Sequence, residues 1–218
     1  MNVFDFDYYI LDYDGTLIDS MPIWYGFATK YLEYMGIKAK PGLDDRIKYL
    51  SNYDTAKILN YEYNLNMTDR EVLDSINKFV LTVYPSIPLK EGALEFLNEL
   101  KRRNKKIYLL SATPKSLLLM SMKALGIRDY FIDIYSSSDL RLSKETGSAF
   151  TYVIDAIKAN RTNVLIVEDS TLALVACKKL NYNILMMKDF SNKDKEEFIL
   201  SKTKYYYTLN EILEKENL

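Results

Sequence analysis

The chain has 218 residues, of which 48% are hydrophobic and 27% are charged, and its formal net charge is −1. This length can bury a substantial core, and the balanced charge offers no basic excess for nucleic acid or an anionic membrane. The sequence has no histidine and one cysteine, which excludes histidine-based triads, histidine-ligated zinc and an internal disulfide.

The same composition bears on location and partners. The single cysteine, Cys177, fits a reducing compartment, and the N-terminus lacks the basic region and apolar run of a signal peptide. The apolar run Leu117–Leu119 is too short to cross a bilayer. We therefore expect a cytoplasmic protein, a monomer or weak homodimer, with neither nucleic acid nor membrane as partner.

In chain order, the first predicted element is a strand over Tyr8–Leu11, an apolar run that ends at a carboxylate. Helical periodicity follows from about residue 20 to residue 88, with helices predicted over Pro22–Met35, Thr55–Tyr63 and Thr68–Tyr84. The third helix opens with a capping box formed by Thr68 and Glu71. This interval is too long for an ordinary crossover. We predict an inserted helical subdomain over 20–85 and a core domain over 1–19 and 86–218.

After the insertion, short apolar runs alternate with amphipathic stretches. Strands are predicted over Lys106–Leu110, Phe131–Tyr135, Val164–Val167 and Ile184–Met187, with an edge strand over Tyr205–Tyr207. Helices are predicted over Leu89–Arg103, Pro114–Leu125, Ala149–Ala159, Thr171–Leu180 and Leu209–Lys215. Near-continuous apolar strands that alternate with helices are typical of a doubly wound parallel α/β sheet.

Polar residues follow several of these strands. They are Asp12 and Asp14 after the first, Ser111 and Thr113 on either side of Ala112 after the second, Glu168 and Asp169 after the fourth, and Lys144 shortly after the third. Because ligands of open parallel sheets bind at the carboxyl ends of the strands, we expect these residues to converge on one crevice.

The residue types in this set indicate phosphoryl transfer. Carboxylates packed together repel unless a cation lies between them, and oxygen ligands without histidine or cysteine favour Mg²⁺. An ionised Asp12 can attack phosphorus, and Asp14 can exchange protons with the leaving group and with water. Ser111, beside the positive end of a predicted helix, can donate to a phosphoryl oxygen, and Lys144 can offset negative charge.

These segments resemble the motifs of the haloacid dehalogenase (HAD) superfamily. The segment from Asp12 to Ser20 is similar to its first motif, and Ser111, Lys144 and Glu168–Ser170 resemble the second, third and fourth. The helical insertion is similar to the C1 cap of phosphoglycolate phosphatase-like and β-phosphoglucomutase-like members. The resemblance covers essentially the whole chain and implies a Rossmann-like core.

The resemblance also implies roles for individual residues. Asp12 would form an aspartyl-phosphate and bind Mg²⁺, and Asp14 would bind the ion through its main-chain carbonyl. Asp169 would be a metal ligand, with Glu168 nearby or binding through water. Asp14 also disfavours carbon–halogen cleavage, since the dehalogenases of the superfamily lack it. Lys144 departs from the pattern, because it is followed by glutamate rather than proline.

The predicted function is a Mg²⁺-dependent phosphatase that hydrolyses a small phosphorylated metabolite. The candidate phosphate-binding residues are Ser111, Ala112 and Lys144. Arg46 and Lys48 of the insertion are candidates for binding an anionic group of the substrate that is remote from the reacting phosphate. Two alternatives stay open. One is a phosphosugar mutase, although such mutases use a cap histidine that this chain lacks. The other is a non-catalytic binding protein with the HAD fold.

Overall fold

The computed structural model describes residues 2–47 and 50–215. The chain divides into two compact units: an α/β unit made of Met1–Asp19 and Ile87–Leu218, and a helical unit made of Ser20–Ser86. Among the described residues, every helix is too short or too polar to cross a membrane.

One six-stranded sheet forms the centre of the α/β unit. Its strands are β1 (Tyr8–Leu11), β2 (Lys106–Ser111), β3 (Asp133–Ser136), β4 (Val164–Glu168), β5 (Asn183–Met187) and β6 (Tyr206–Tyr207). They lie in the order β3-β2-β1-β4-β5-β6, and every neighbouring pair is parallel. The strand order reverses at β1, between β2 and β4, which is where doubly wound sheets place their ligands. The predicted fold class, including the edge strand, is confirmed.

The helices account for most of the remaining chain. In chain order the α-helices are α1 (Met21–Tyr25), α2 (Phe27–Tyr34), α3 (Leu43–Ile47), α4 (Asn52–Tyr63), α5 (Asp69–Val83), α6 (Ala93–Arg102), α7 (Lys115–Ala124), α8 (Ser148–Ala156), α9 (Thr171–Lys179), α10 (Glu196–Lys202) and α11 (Leu209–Lys215). The first five belong to the helical unit and the others to the α/β unit.

One face of the sheet packs on a continuous apolar cluster. Ile10 of β1 and Ile166 of β4 meet Phe150 of α8 and Leu174 and Cys177 of α9 there, all of them buried. The strands read as near-continuous apolar runs because the central ones are buried on both faces. Cys177 is buried and unpaired with another cysteine, and it packs there as a small hydrophobe.

The helical unit has a core of its own, to which α2, α3, α4 and α5 contribute. The capping box at Thr68 and Glu71 is present, as predicted. The prediction of one helix over Pro22–Met35 is wrong: α1 and α2 are separated at Gly26, whose φ of −109° and ψ of 23° are not helical. Glycine is a poor helix former, by about 1 kcal/mol relative to alanine, which favours an interruption of the helix at this position. The short helix α3 was not predicted.

The α/β unit holds the two ends of the insertion side by side. Ile18 forms an antiparallel bridge with Leu89. The Asp19 amide donates to the carbonyl of Pro88 at 3.0 Å, and the Lys90 amide donates to the carbonyl of Leu17 at 2.9 Å. The chain can therefore leave and re-enter the α/β unit at one place without disturbing the sheet.

The segment after β5 has helical structure that the sequence pattern does not predict. After β5, a 3₁₀-helix covers Phe190–Lys195 and continues into α10. The charged run from Lys193 to Glu197 lacks the apolar periodicity on which helix prediction depends. This segment lies next to the candidate site and contributes to it.

Candidate active site

Asp12 lies directly after β1, at the point where the strand order of the sheet reverses. Its amide donates to the carbonyl of Val167 in β4 at 2.9 Å, which fixes the backbone beside both neighbouring strands. The residue is only 5% exposed. Lys144 Nζ lies 2.7 Å from Asp12 Oδ1 and 2.5 Å from Glu168 Oε1. One ammonium group therefore bridges two buried carboxylates.

The loop that carries Lys144 depends on a glycine. Gly147 has a φ of 82°, and its amide donates to the carbonyl of Lys144 at 3.1 Å. A Cβ at this position would lie 2.3 Å from Leu180 Cδ1. Both the left-handed backbone and the close packing favour glycine there. Lys144 is followed by glutamate rather than the proline of the HAD pattern, yet this turn still brings it within hydrogen-bonding distance of Asp12 and Glu168.

The electrostatics of the cluster are dominated by burial. Burial, assisted by the charge of Glu168, raises the pKa of Asp12 to about 7 against the lowering effect of Lys144. Burial, together with the charges of Glu168 and Asp12, raises the pKa of Asp169 well above its usual value. Burial would lower the pKa of Lys144, but the adjacent carboxylates outweigh it and the pKa lies above its ordinary value. The pocket thus contains more negative charge than one lysine neutralises.

Asp14 lies two residues beyond Asp12, half-buried, on a tight turn. Gly15, with a φ of 74°, allows that turn, and the Tyr13 carbonyl accepts from the Leu17 and Ile18 amides at 2.9 and 3.0 Å. Asp14 Oδ2 accepts from Thr113 Oγ1 at 2.8 Å and from Ser111 Oγ at the longer distance of 3.5 Å. The ends of β1 and β2 are therefore joined through their polar side chains.

Glu168 and Asp169 lie at the end of β4. Glu168 Oε2 accepts from the amide of Ser170 at 2.6 Å, so both of its oxygens have partners. Asp169 Oδ2 accepts from Ser191 Oγ at 2.9 Å. Oxygens of Asp12, Glu168 and Asp169 lie within 4.8 Å of one another, all from buried residues. A buried donor set made only of carboxylate oxygens fits a hard divalent cation such as Mg²⁺.

The structure thus brings the sequence-predicted residues Asp12, Asp14, Ser111, Lys144, Glu168 and Asp169 to one end of the sheet. Ala112 is exposed between Ser111 and Thr113. Arg46 belongs to the helical unit, where Nη1 and Nη2 donate to the two carboxylate oxygens of Glu62 at 3.0 and 2.7 Å. Lys48 lies outside the described residues. The catalytic, metal-binding and substrate-binding roles of all the residues named in this paragraph stay predictions.

Sequence interpretation missed three residues beside the cluster. Ser191 contacts Asp169, and Asn192 is buried and donates to the Asp169 carbonyl at 2.8 Å. Asp189, also buried, is paired with Lys90. The spacing of Asp189 and Asn192 is the signal that could have predicted this turn, because together they form a capping box. The pair with Lys90 joins residues 99 positions apart and leaves no local signal.

Comparison with known proteins identifies the family. The model of the haloacid dehalogenase-like hydrolase family matches residues 9–187. An uncharacterized protein of Haemophilus influenzae is 27% identical over 173 residues, which are 77% of this chain and 84% of that protein. A phosphorylated carbohydrates phosphatase of Thermotoga maritima is 25% identical over 177 residues, 78% of this chain and 79% of the relative.

Among solved structures, the crystal structure of a "putative beta-phosphoglucomutase" from Thermotoga maritima has the same fold. Its TM-score is 0.84 at 20% identity, and the match covers 97% of this chain and 100% of the other. The chain belongs to the haloacid dehalogenase-like hydrolase family, which the resemblance of the motifs predicted.

Proposed function

We propose that this chain is a Mg²⁺-dependent phosphatase that hydrolyses a phosphomonoester of a small metabolite through an aspartyl-phosphate on Asp12. The observation that carries the proposal is the ammonium of Lys144, 2.7 Å from Asp12 and 2.5 Å from Glu168, beside a buried group of carboxylates. Burying carboxylates together costs free energy unless positive charge compensates them, and Lys144 together with a bound cation would supply that charge.

In the first step an oxygen of Asp12 attacks phosphorus, and the bond from phosphorus to the ester oxygen breaks. Asp14 acts as the general acid and gives a proton to the departing alkoxide. In the second step Asp14 takes a proton from water, whose oxygen attacks the phosphorus and releases inorganic phosphate and the Asp12 carboxylate. Thr113, which donates to Asp14 at 2.8 Å, holds that carboxyl in orientation for both proton transfers.

The remaining residues bind and neutralise the phosphoryl group. Ser111 lies at the end of β2 before the N-terminus of α7, where a hydroxyl and helix amides favour an anion. Lys144 offsets charge on Asp12 as the phosphoryl oxygens approach. Mg²⁺ would be held by Asp12, Asp169 and the main-chain carbonyl of Asp14, with Glu168 beside it, and when bound it would neutralise charge on the phosphoryl group.

In this proposal the helical unit, Ser20–Ser86, is a C1 cap, and its residues determine which substrate is bound. Arg46 is a candidate for binding a remote anionic group of the substrate. Its Nη1 and Nη2 each donate to one carboxylate oxygen of Glu62, so a bound anion would share the guanidinium with that carboxylate. The carbohydrate phosphatase from Thermotoga maritima makes sugar phosphates the first compounds to test. A cytoplasmic location fits such a substrate and stays a prediction.

A phosphosugar mutase is the second candidate, favoured by the structural likeness to the Thermotoga maritima crystal structure. The absence of histidine from the sequence disfavours it, since mutases similar to this chain use a cap histidine. A non-catalytic binding protein is the third, and the intact carboxylate cluster disfavours it.

One assay separates the three candidates. Purified protein with Mg²⁺ is incubated with sugar phosphates, phosphoglycolate and nucleoside monophosphates, and both free phosphate and sugar-phosphate isomers are measured. Phosphate release that Asp12→Asn abolishes supports hydrolysis. Isomerisation of a sugar phosphate without net phosphate release would indicate a mutase instead. The absence of both turnover and Mg²⁺ binding would indicate a binding protein.

A further inference from the structure

The turn that follows β5 holds Asp169 at two points. Ser191 Oγ donates to the carboxylate oxygen Oδ2 of Asp169 at 2.9 Å, and Asn192 Nδ2 donates to the main-chain carbonyl of the same residue at 2.8 Å. The contacts join the end of β5 to the end of β4, two neighbouring strands of the sheet. Side chain and backbone of Asp169 are thus oriented by one short segment.

That segment is itself held by several buried hydrogen bonds. Asn192 is 2% exposed, and its amide nitrogen also donates to the Met187 carbonyl at 2.9 Å. Its oxygen accepts from the Asp189 amide at 3.2 Å and from the Tyr206 hydroxyl at 2.8 Å. Both amide protons and both acceptor positions of Asn192 are therefore used, which leaves the side chain a single orientation.

A charge pair holds the other end of the turn. Asp189 Oδ1 accepts from the Ser191 amide at 2.8 Å, while Oδ2 pairs with the ammonium of Lys90. The Asp189 side chain is fully buried and that of Lys90 is 17% exposed. Because a buried carboxylate needs a partner, the pair fixes the position from which Ser191 reaches Asp169.

A hydroxyl that donates to one carboxylate oxygen determines how the carboxylate is rotated and hence where its other oxygen lies. Hydrogen-bond partners of metal ligands orient them in this way, and removing such a partner typically weakens metal binding about 10- to 100-fold. We propose that Ser191 is a positioning residue that presents the Asp169 carboxylate to Mg²⁺, supported by Asn192 and the Lys90–Asp189 pair. The inference rests on the proposed function, because it assumes that the cluster takes this ion.

The test measures Mg²⁺ affinity of the full chain by isothermal titration calorimetry in the absence of substrate. Ser191→Ala removes the donor, Ser191→Thr keeps a hydroxyl, and Ser201→Ala is the matched control. Ser201 is exposed in α10, and its hydroxyl donates to the Phe198 carbonyl at 2.7 Å, so the control also loses one hydrogen bond. We expect Ser191→Ala to weaken Mg²⁺ binding about 10-fold or more and the other two variants to stay within about twofold of the wild type.

A kinetic readout separates positioning from a structural effect. In Ser191→Ala the Mg²⁺ concentration for half-maximal activity should rise, while kcat at saturating Mg²⁺ and KM for substrate stay close to the wild-type values. Equal Mg²⁺ affinity of Ser191→Ala and the wild type would overturn the inference, as would a wild type that binds no Mg²⁺. A wild type that binds Mg²⁺ but hydrolyses no phosphomonoester would overturn the proposed function, and the affinities would still decide the role of Ser191.

Discussion

At Asp12, burial and the charge of Glu168 act against Lys144, and the balance leaves the pKa of the carboxyl near 7. In the proposed mechanism Asp12 is the nucleophile and must be ionised, and an additional positive charge nearby favours the ionised form at neutral pH. The bound cation of that mechanism would supply the charge. The proposal therefore couples protonation of Asp12 to metal binding.

This coupling predicts that Mg²⁺ binding releases a proton from the cluster near neutral pH. The pKa of Asp12 rises from 3.8 to about 7 on folding. The folded metal-free protein therefore holds more protons than the unfolded chain between these values, and this group lowers stability as the pH rises through that window. Mg²⁺ affinity should rise between about pH 6 and about pH 8. Calorimetry in buffers with different ionisation enthalpies measures the release, and an affinity independent of pH would contradict it.

Lys144 gives the second prediction at the scale of the residue. Replacing Lys144 with methionine keeps much of the side-chain volume but removes the ammonium from between Asp12 and Glu168. We expect activity to fall about 100-fold or more and the metal-free protein to lose about 3 kcal/mol of unfolding free energy. Phosphate release and urea denaturation measure the two effects.

Lys179→Met is the control for that substitution, because Lys179 is exposed in the last turn of α9. It should leave activity and stability unchanged. If Lys144→Met keeps wild-type activity, the predicted role of Lys144 at the phosphoryl group is wrong.

At the scale of the element, the turns after the strands decide where the functional side chains lie. The 144–147 turn depends on Gly147, so Gly147→Ala should strain the backbone and move Lys144. A residue forced into the left-handed region costs about 1 kcal/mol or more, and contact with Leu180 adds to it. We expect a lower melting temperature and lower phosphatase activity.

Gly126→Ala is the matched control for Gly147→Ala. Gly126 also has a positive φ, 70°, but nothing lies within 4 Å of the position its Cβ would take. This variant should lose stability through backbone strain alone and keep its activity. Equal activity of the two variants would mean that the turn does not position Lys144.

The elements also show where sequence interpretation succeeds. Apolar runs predicted the strands because buried parallel strands have no polar face, and the capping box at Thr68 predicted the start of α5 because it is a local interaction. The break at Gly26 was missed, since one glycine is compatible with a continuous helix until tertiary packing decides. Ser191 was missed because its contact with Asp169 joins residues 22 positions apart.

At the scale of the whole molecule, the two units have separate cores. The pairings of Ile18 with Leu89 and of Asp19 with Pro88 place the ends of the insertion together within the α/β unit. The sequence predicted the insertion from its length and helical periodicity. The residues that would recognise the substrate could not be predicted in this way. The sequence around a surface charge such as Arg46 does not distinguish a residue that binds substrate from one that forms a surface ion pair.

This architecture predicts that the α/β unit folds alone. Excision of Ser20–Ser86, with a short flexible linker from Asp19 to Ile87, should leave a protein that unfolds cooperatively and still binds Mg²⁺. Its discrimination among phosphorylated substrates should fall, because the proposed cap is gone. Circular dichroism, denaturation and calorimetry test the first part, and the substrate panel tests the second. An unfolded product, or unchanged discrimination, would contradict the division of roles.

In the proposed mechanism Asp12 carries the phosphoryl group during turnover. The most direct test is to quench the reaction with acid while a good substrate and Mg²⁺ are present and to analyse the peptides by mass spectrometry. We predict that the peptide containing Asp12 carries one phosphoryl group on that side chain and that Asp12→Asn carries none. Rapid phosphate release with no phosphoryl group on Asp12 at any quench time, or with the group on another residue, would contradict the account.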